Sequence, residues 1–248
     1  MRLGDLCDFC DTYLQISDFD DYCPNGLQVE VTPEVRQIIC GVTACQALID
    51  VAIEQGVDTL LVHHGYFWRG EPQPIRGIKG QRIRSLVNNG INLLAYHLPL
   101  DAHPVVGNNA QLAKLMNWRV ERSFGEQGLI LEGRLPAPMA PQVLTQEIES
   151  RLRTSALLIE GGDHAIDRLA WCTGAAQGFI EAAAEHGVDA FVSGEVSEQT
   201  THLARELGIH YIAAGHHATE RYGVQALAAE LASRFGIEQS FVDVHNPV

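Results

Sequence analysis

The sequence has little positive charge for its length. Its 248 residues include 17 lysines and arginines and 31 aspartates and glutamates, which gives a formal net charge of −14 at pH 7. Proteins that bind nucleic acid without sequence preference gain much of their affinity by neutralising phosphates. This charge balance, together with the lack of any recognition motif, argues against a nucleic-acid partner.

Long hydrophobic runs are also missing. No stretch approaches the roughly 20 apolar residues that span a bilayer. Residues 1–6 are interrupted by charge, unlike a signal peptide. The six cysteines are scattered, and an intracellular chain of this size would keep them reduced. We therefore expect a cytoplasmic protein with no membrane partner.

Three common catalytic signatures do not occur. The sequence contains no G-x-S-x-G, no G-x-x-x-x-G-K-[ST] and no G-x-G-x-x-G. Assignments as a serine hydrolase, a P-loop protein or a dinucleotide-binding protein therefore lack the residues they require. The composition, 46% hydrophobic and 19% charged, is that of an ordinary globular protein, and the length suits one large or two small domains.

What the chain does contain is a buried-strand pattern that ends in two histidines. Residues 59–62 form an apolar run typical of a strand covered on both faces, and His63, His64 and Gly65 follow directly. Neighbouring side chains on a strand point to opposite faces, so the two imidazoles can share a site only where the strand ends. In open α/β sheets, ligands bind at that end. The alternative is one histidine in the core and one in solvent.

The two halves of the sequence resemble each other. Residues 46–58 align without a gap with residues 177–189 at their Gln, Ile, Ala, Glu, Gly, Val and Asp positions. We predict an α/β fold of two related units from an internal duplication, covering 1–125 and 126–248. The proline-rich stretch 136–141 is the best candidate for a linker. Chance similarity between two amphipathic helices is the alternative.

Histidine and acid groups recur at three predicted strand ends. The groups are His63 with His64, His97 with Asp101, and His216 and His217 with Glu220. Neutral imidazole and carboxylate together suit zinc, manganese, iron or nickel. The donors exceed the demand of one closed tetrahedral site, so they predict two divalent metal ions per chain, bridged by a carboxylate and a water or hydroxide. The alternative is a set of unrelated surface histidines.

Several motifs, in order along nearly the whole chain, carry a family resemblance. They are YCPNGLQV at 22–29, GVT at 41–43, VHHG at 62–65, HLPLD at 97–101, NN at 108–109, SGE at 193–195 and AGHHATE at 214–220. Together they resemble the Nif-three-like family, also labelled GTP cyclohydrolase I type 2, in its bacterial short form. Gly65 departs from the pattern, because many relatives have proline there.

The resemblance implies a two-domain, intertwined α/β fold with a dinuclear metal site between the domains. It also implies a ring-shaped homohexamer whose sites face an inner cavity. Carried over by position, the metal ligands are His63, His64, Asp101, His216 and Glu220, with Glu220 as the bridge, and His97 lies close to the site. The implied activity is opening of the guanine imidazole ring of GTP by metal-bound hydroxide attacking C8.

Glu195 and His217 are the candidate acid/base groups that the ligand set does not use. Glu195 falls in the second half where His64 falls in the first, and the alternative is a carboxylate that only starts a helix. The leading hypothesis is a dinuclear metal-dependent hydrolase for a nucleotide-like small molecule. The alternative is a non-catalytic metal-binding scaffold or interaction protein that forms a hexameric ring.

Overall fold

The computed structural model describes residues 1–248 and divides the chain into two compact units. The first unit consists of Met1–Leu100 and Gly223–His245, and the second of Asp101–Tyr222 and Asn246–Val248. Each unit is therefore assembled from two separate stretches of the chain. The predicted boundary after residue 125 differs from this division.

The strands fall into two sheets, one in each unit. In chain order they are β1 (Gly26–Val29), β2 (Gln37–Thr43), β3 (Thr59–His64), β4 (Asn92–Ala95), β5 (Arg119–Phe124), β6 (Ile130–Met139), β7 (Leu157–Ile159), β8 (Ile166–Cys172), β9 (Ala190–Ser193), β10 (His210–Ala213) and β11 (Glu238–Phe241). The predicted mixed α/β fold is thus confirmed.

Nine α-helices accompany the strands. They are α1 (Leu3–Tyr13), α2 (Gln46–Gln55), α3 (Gly77–Asn88), α4 (Leu98–Ala102), α5 (Asn108–Met116), α6 (Pro141–Leu152), α7 (Ile180–Glu185), α8 (Glu198–Leu207) and α9 (His216–Phe235). The chain passes to the second unit within α4, returns to the first within α9 and passes to the second again after His245. None of the helices combines the length and the apolar character needed to cross a membrane.

The sheet of the first unit has the strand order β1-β4-β3-β2-β11. Strands β4, β3, β2 and β11 are parallel to one another, and β1 is antiparallel at the edge. Leu60 and Leu61 of β3 are fully buried, as the apolar run predicts for a strand with both faces covered. Gly56 ends α2 with φ of +66°, a left-handed conformation that glycine adopts without steric cost.

The sheet of the second unit has the order β5-β6-β8-β9-β10-β7. Its central strands β8, β9 and β10 are parallel, whereas β5, β6 and β7 pair antiparallel with their neighbours. Trp171 of β8 and Ile212 of β10 lie in a core that also buries Leu144 and Ile148 of α6. The internal duplication of the two units stays a prediction.

The linker predicted at residues 136–141 is wrong. Residues 136–139 complete β6, and Pro141 is the first residue of α6. The pairing of β6 with β8 shifts register between Arg134 and Met139, and Pro136 and Pro138 are exposed in that irregular part. Proline is tolerated at such irregularities and at the first position of a helix, where its missing N–H costs no hydrogen bond. The boundary predicted after residue 125 falls between the paired strands β5 and β6.

Candidate metal centre

Three of the predicted site histidines lie together in the first unit. His63 and His64 are the last residues of β3, and His97 follows the end of the neighbouring strand β4. Their donor nitrogens lie within 4.8 Å of one another. The ring centroids are 4.6 Å apart for His63 and His64 and 5.0 Å apart for His63 and His97. These three residues form the first donor group, at the carboxyl ends of parallel strands.

The Nδ1 atoms of these rings face oxygen atoms of the same unit. The Nδ1 of His63 lies 2.8 Å from the carbonyl oxygen of Tyr96, and that of His64 lies 3.4 Å from Oγ1 of Thr43. Thr43 stands opposite His64 in the register of β2 and β3. A carbonyl oxygen only accepts hydrogen bonds, so in the neutral His63 ring this contact places the proton on Nδ1 and leaves the lone pair on Nε2. That arrangement is typical of metal-ligating histidines.

For His97, the oxygen that faces Nδ1 belongs to the carboxylate of Asp21. Its Oδ1 lies 2.7 Å from the Nδ1 of His97. Burial alone would raise the pKa of Asp21, but hydrogen bonds from His97, Asn25 and the backbone of Leu98 outweigh it and lower the pKa to about 2. The sequence predicts only a turn around Asp21, because nothing local shows that this turn returns to the end of β4.

Acidic predicted ligands lie together in the second unit. Asp101 and Glu220 have carboxylate oxygens within 4.8 Å of each other. His216 and Glu220 are one turn apart at the start of α9, and Nε2 of His216 lies 3.1 Å from Oε2 of Glu220. Asp101 and Glu220 are almost fully buried. Asp101, His216 and Glu220 form the second donor group.

Neighbouring polar groups hold the Asp101 carboxylate in place. Its Oδ1 accepts hydrogen bonds from Nδ2 of Asn108, at 2.9 Å, and from Oγ1 of Thr173, at 3.2 Å. Asn109 is anchored beside it, because its Nδ2 donates to the carbonyl oxygens of Asp101 and Leu129. The predicted Asn108-Asn109 motif therefore fixes the orientation of a candidate ligand.

Glu195 lies beside His216. Its Oε1 is 2.7 Å from the Nδ1 of His216, which directs the Nε2 of that ring towards Glu220. Glu195 comes two residues after β9, and His216 follows β10, so the ends of adjacent parallel strands bring them together. The structure therefore gives Glu195 a positioning contact in addition to its predicted acid/base role.

The second donor group concentrates negative charge around one imidazole. Burial alone would lower the pKa of His216, but hydrogen bonds and charge from Glu220 and Glu195 outweigh it and raise the pKa to about 9. The carboxylates thus stabilise a positive charge at this position. A site that favours a cation between two carboxylates has the chemistry expected of a metal centre.

Two further residues lie next to members of this group, His217 beside His216 and Gly174 beside Glu220. His217 is buried, and its backbone N–H donates to the carbonyl oxygen of Val248 at 2.9 Å. It belongs to neither donor group. Gly174, which no sequence motif indicated, adopts φ of +70°, and a Cβ atom there would lie 2.2 Å from Oε1 of Glu220. Glycine therefore allows this close approach without backbone strain and without displacing the Glu220 carboxylate.

Comparison with known proteins identifies the family of the chain. The family model described as Duf34/NIF3 (NGG1p interacting factor 3) matches residues 1–247. The chain belongs to the Duf34/NIF3 family. The family resemblance of its motifs is thus confirmed over almost the entire sequence of this Duf34/NIF3 protein.

Named relatives and solved structures agree with this assignment. A Pseudomonas aeruginosa protein called GTP cyclohydrolase 1 type 2 homolog is 53% identical over 250 residues, which cover 100% of this chain and 99% of the relative. An Escherichia coli protein of the same name is 48% identical over 249 residues and 100% of both chains. A Thermus thermophilus structure is 37% identical, with a TM-score of 0.91 over 100% of both chains. A structure of protein ybgI, described as of unknown function, is 47% identical, with a TM-score of 0.97 over 100% of both.

Proposed function

We propose that this Duf34/NIF3 protein is a dinuclear metal-dependent hydrolase that acts on a nucleotide-like small molecule. The observation that carries the proposal is the presence of two sets of metal-donor side chains: three histidines at the carboxyl ends of β3 and β4, and two carboxylates and a histidine on α4 and α9. The name of its relatives, GTP cyclohydrolase 1 type 2 homolog, supports a nucleotide as the substrate class.

The donor chemistry fits a pair of divalent ions. His63, His64 and His97 would supply three nitrogens, and the second group would supply one nitrogen and two carboxylates. Six such donors are too many for one closed tetrahedral site. We propose that both groups serve a common pair of zinc, manganese, iron or nickel ions, with Glu220 as the bridging ligand. Assembly of the chain into a homohexamer, as the resemblance implies, is part of this proposal.

The chain's own residues would bind, orient and transfer protons. When bound, two such ions lower the pKa of water and stabilise the charge that develops on the attacked atom. Glu195 would hold the His216 ring through Nδ1 and, because about a third of its side chain is exposed, could also exchange a proton with the substrate. His217 is the second acid/base candidate, in the first turn of α9.

Substitution of Glu195 separates catalysis from metal binding. At saturating metal concentration we expect Glu195→Gln to retain its ions and oligomeric state, although loss of the carboxylate that orients His216 lowers its metal affinity, and to lose about 100-fold or more in kcat. The measurement is hydrolysis of GTP and other nucleotides by the metal-loaded protein, alongside metal content. Glu198→Gln, at the exposed start of α8, is the matched control and should keep the wild-type rate.

The outcomes distinguish the proposal from a scaffold. Wild-type turnover in Glu195→Gln would remove Glu195 from the chemistry. A wild-type protein that binds its ions but hydrolyses no nucleotide would favour the non-catalytic scaffold instead. In that case substitution of ligands would lower stability, because metal binding contributes to folding, while Glu195→Gln would change no biological activity.

A further inference from the structure

A third cluster of possible metal ligands lies beside the first donor group. Donor atoms of Asp21, Cys23 and His97 are within 4.8 Å of one another. Asp21 and Cys23 come from the turn that precedes β1, and His97 comes from the end of β4. An aspartate, a cysteine and a histidine in one place could form a separate metal site. The hydrogen bonds of Asp21 decide against that interpretation.

Donors within the first unit already occupy the Asp21 carboxylate. Its Oδ1 accepts from the backbone N–H of Tyr22 at 2.5 Å and from Nδ1 of His97 at 2.7 Å. Its Oδ2 accepts from Nδ2 of Asn25 at 2.8 Å and from the backbone N–H of Leu98 at 2.9 Å. A carboxylate offers about four lone-pair positions, so little capacity remains for a metal ion. Asp21 is therefore a hydrogen-bond acceptor for its surroundings.

The same turn also fixes the backbone of His97, and Trp68 packs against its ring. The backbone N–H of His97 donates to Oδ1 of Asn25 at 2.7 Å, and Asn25 is itself held by Asp21. The indole of Trp68 packs against the His97 ring almost perpendicularly, with centroids 5.0 Å apart. Rotating the imidazole ring by half a turn would place a carbon atom, instead of Nδ1, next to Asp21. The charge-assisted hydrogen bond to the carboxylate would then be lost.

We propose that Asp21 is a positioning residue that keeps the His97 proton on Nδ1 and so presents Nε2, with its lone pair, to the donor group of His63 and His64. A carboxylate that accepts from a histidine fixes both its tautomer and its ring orientation. The claim that this arrangement helps to bind metal ions rests on the proposed function. The claim about the tautomer of His97 does not depend on it.

The test uses the full chain, first without metal and then with added Zn²⁺ or Co²⁺. In metal-free, ¹⁵N-histidine-labelled protein, at a pH where His97 is neutral, long-range ¹H–¹⁵N spectra identify the protonated nitrogen. We expect the Nδ1–H form in the wild type and a substantial Nε2–H population in Asp21→Asn, because an amide can turn either its oxygen or its NH₂ to the ring. In a second measurement, Zn²⁺ or Co²⁺ affinity should fall 10- to 100-fold in Asp21→Asn.

Asp20→Asn is the matched control. Asp20 is the preceding residue, and its exposed carboxylate pairs with Arg69, so its substitution should preserve both the tautomer and the metal affinity. A wild-type Nε2–H tautomer, or an unchanged Nδ1–H tautomer in Asp21→Asn, would overturn the proposal. A switched tautomer with unchanged affinity would overturn the link to the ions. A wild type that binds no metal would instead refute the proposed function, with the tautomer result still decisive for Asp21.

Discussion

At the scale of single residues, Gly174 determines how closely the backbone approaches the second donor group. At Gly174 the backbone passes so close to Glu220 that an added Cβ would lie 2.2 Å from Oε1. The sequence predicted His216 and Glu220, because their four-residue spacing on a helix is a local signal. It could not predict Gly174, because the need for glycine arises only when β8 and α9 are brought together in the fold.

Replacement of Gly174 by alanine should therefore displace a candidate ligand. We expect Gly174→Ala to weaken metal binding by about tenfold or more and to destabilise the protein by about 1–2 kcal/mol, since a left-handed φ is strained for alanine. Metal titration and urea unfolding measure the two effects. Gly178→Ala, where a Cβ meets no atom within 4 Å, is the control. Wild-type affinity in Gly174→Ala would contradict the tight packing of Glu220.

Among the elements, β5, β6 and β8 are joined by a buried carboxylate that sequence analysis did not indicate. Glu132 of β6 is 1% exposed and accepts from Arg122 of β5, Arg168 of β8 and His186. Burial alone would raise the pKa of Glu132, but these three donors outweigh it and lower the pKa to about 2. The alternation of apolar and polar residues along one strand does not indicate a hydrogen-bond network that links several strands.

Glu132 should make the stability of the protein depend on pH. Because its folded pKa is below the unfolded value of about 4.5, its stabilisation is complete above about pH 4.5 and is lost as the pH falls towards 2. Glu132→Gln should cost about 1–3 kcal/mol at pH 7, because it removes the negative charge that accepts hydrogen bonds from three partly exposed donors, Arg122, Arg168 and His186. The variant should also lose less stability than the wild type as the pH falls from about 4.5 towards 2.

Unfolding by urea between pH 7 and pH 3 measures both effects. Glu121→Gln is the control, because Glu121 lies on the exposed strand β5 and pairs with Arg119 and Arg134 at the surface. It should leave the stability and its pH dependence nearly unchanged. An equal acid decline in Glu132→Gln and the wild type would show that the network does not hold these strands together.

At the scale of the whole molecule, the sequence predicted the mixed α/β fold and the family, but not where the units divide. Buried-strand patterns such as 59–62 and the motifs at strand ends are local, so they can be found without tertiary information. The division of the chain is not local. Residues 223–245 return to the first unit, where β11 pairs with β2, and only long-range pairing reveals this.

The most direct test of the central claim is the number of metal ions per chain. Protein purified without added metal should contain about two ions per chain, because the donors exceed the needs of one site. The double variant His64→Ala with Glu220→Ala, which removes one ligand from each donor group, should lose them. The double variant His202→Ala with Glu198→Ala, an exposed histidine–glutamate pair on α8, should keep the wild-type content. A folded wild type with near-zero metal would contradict the account.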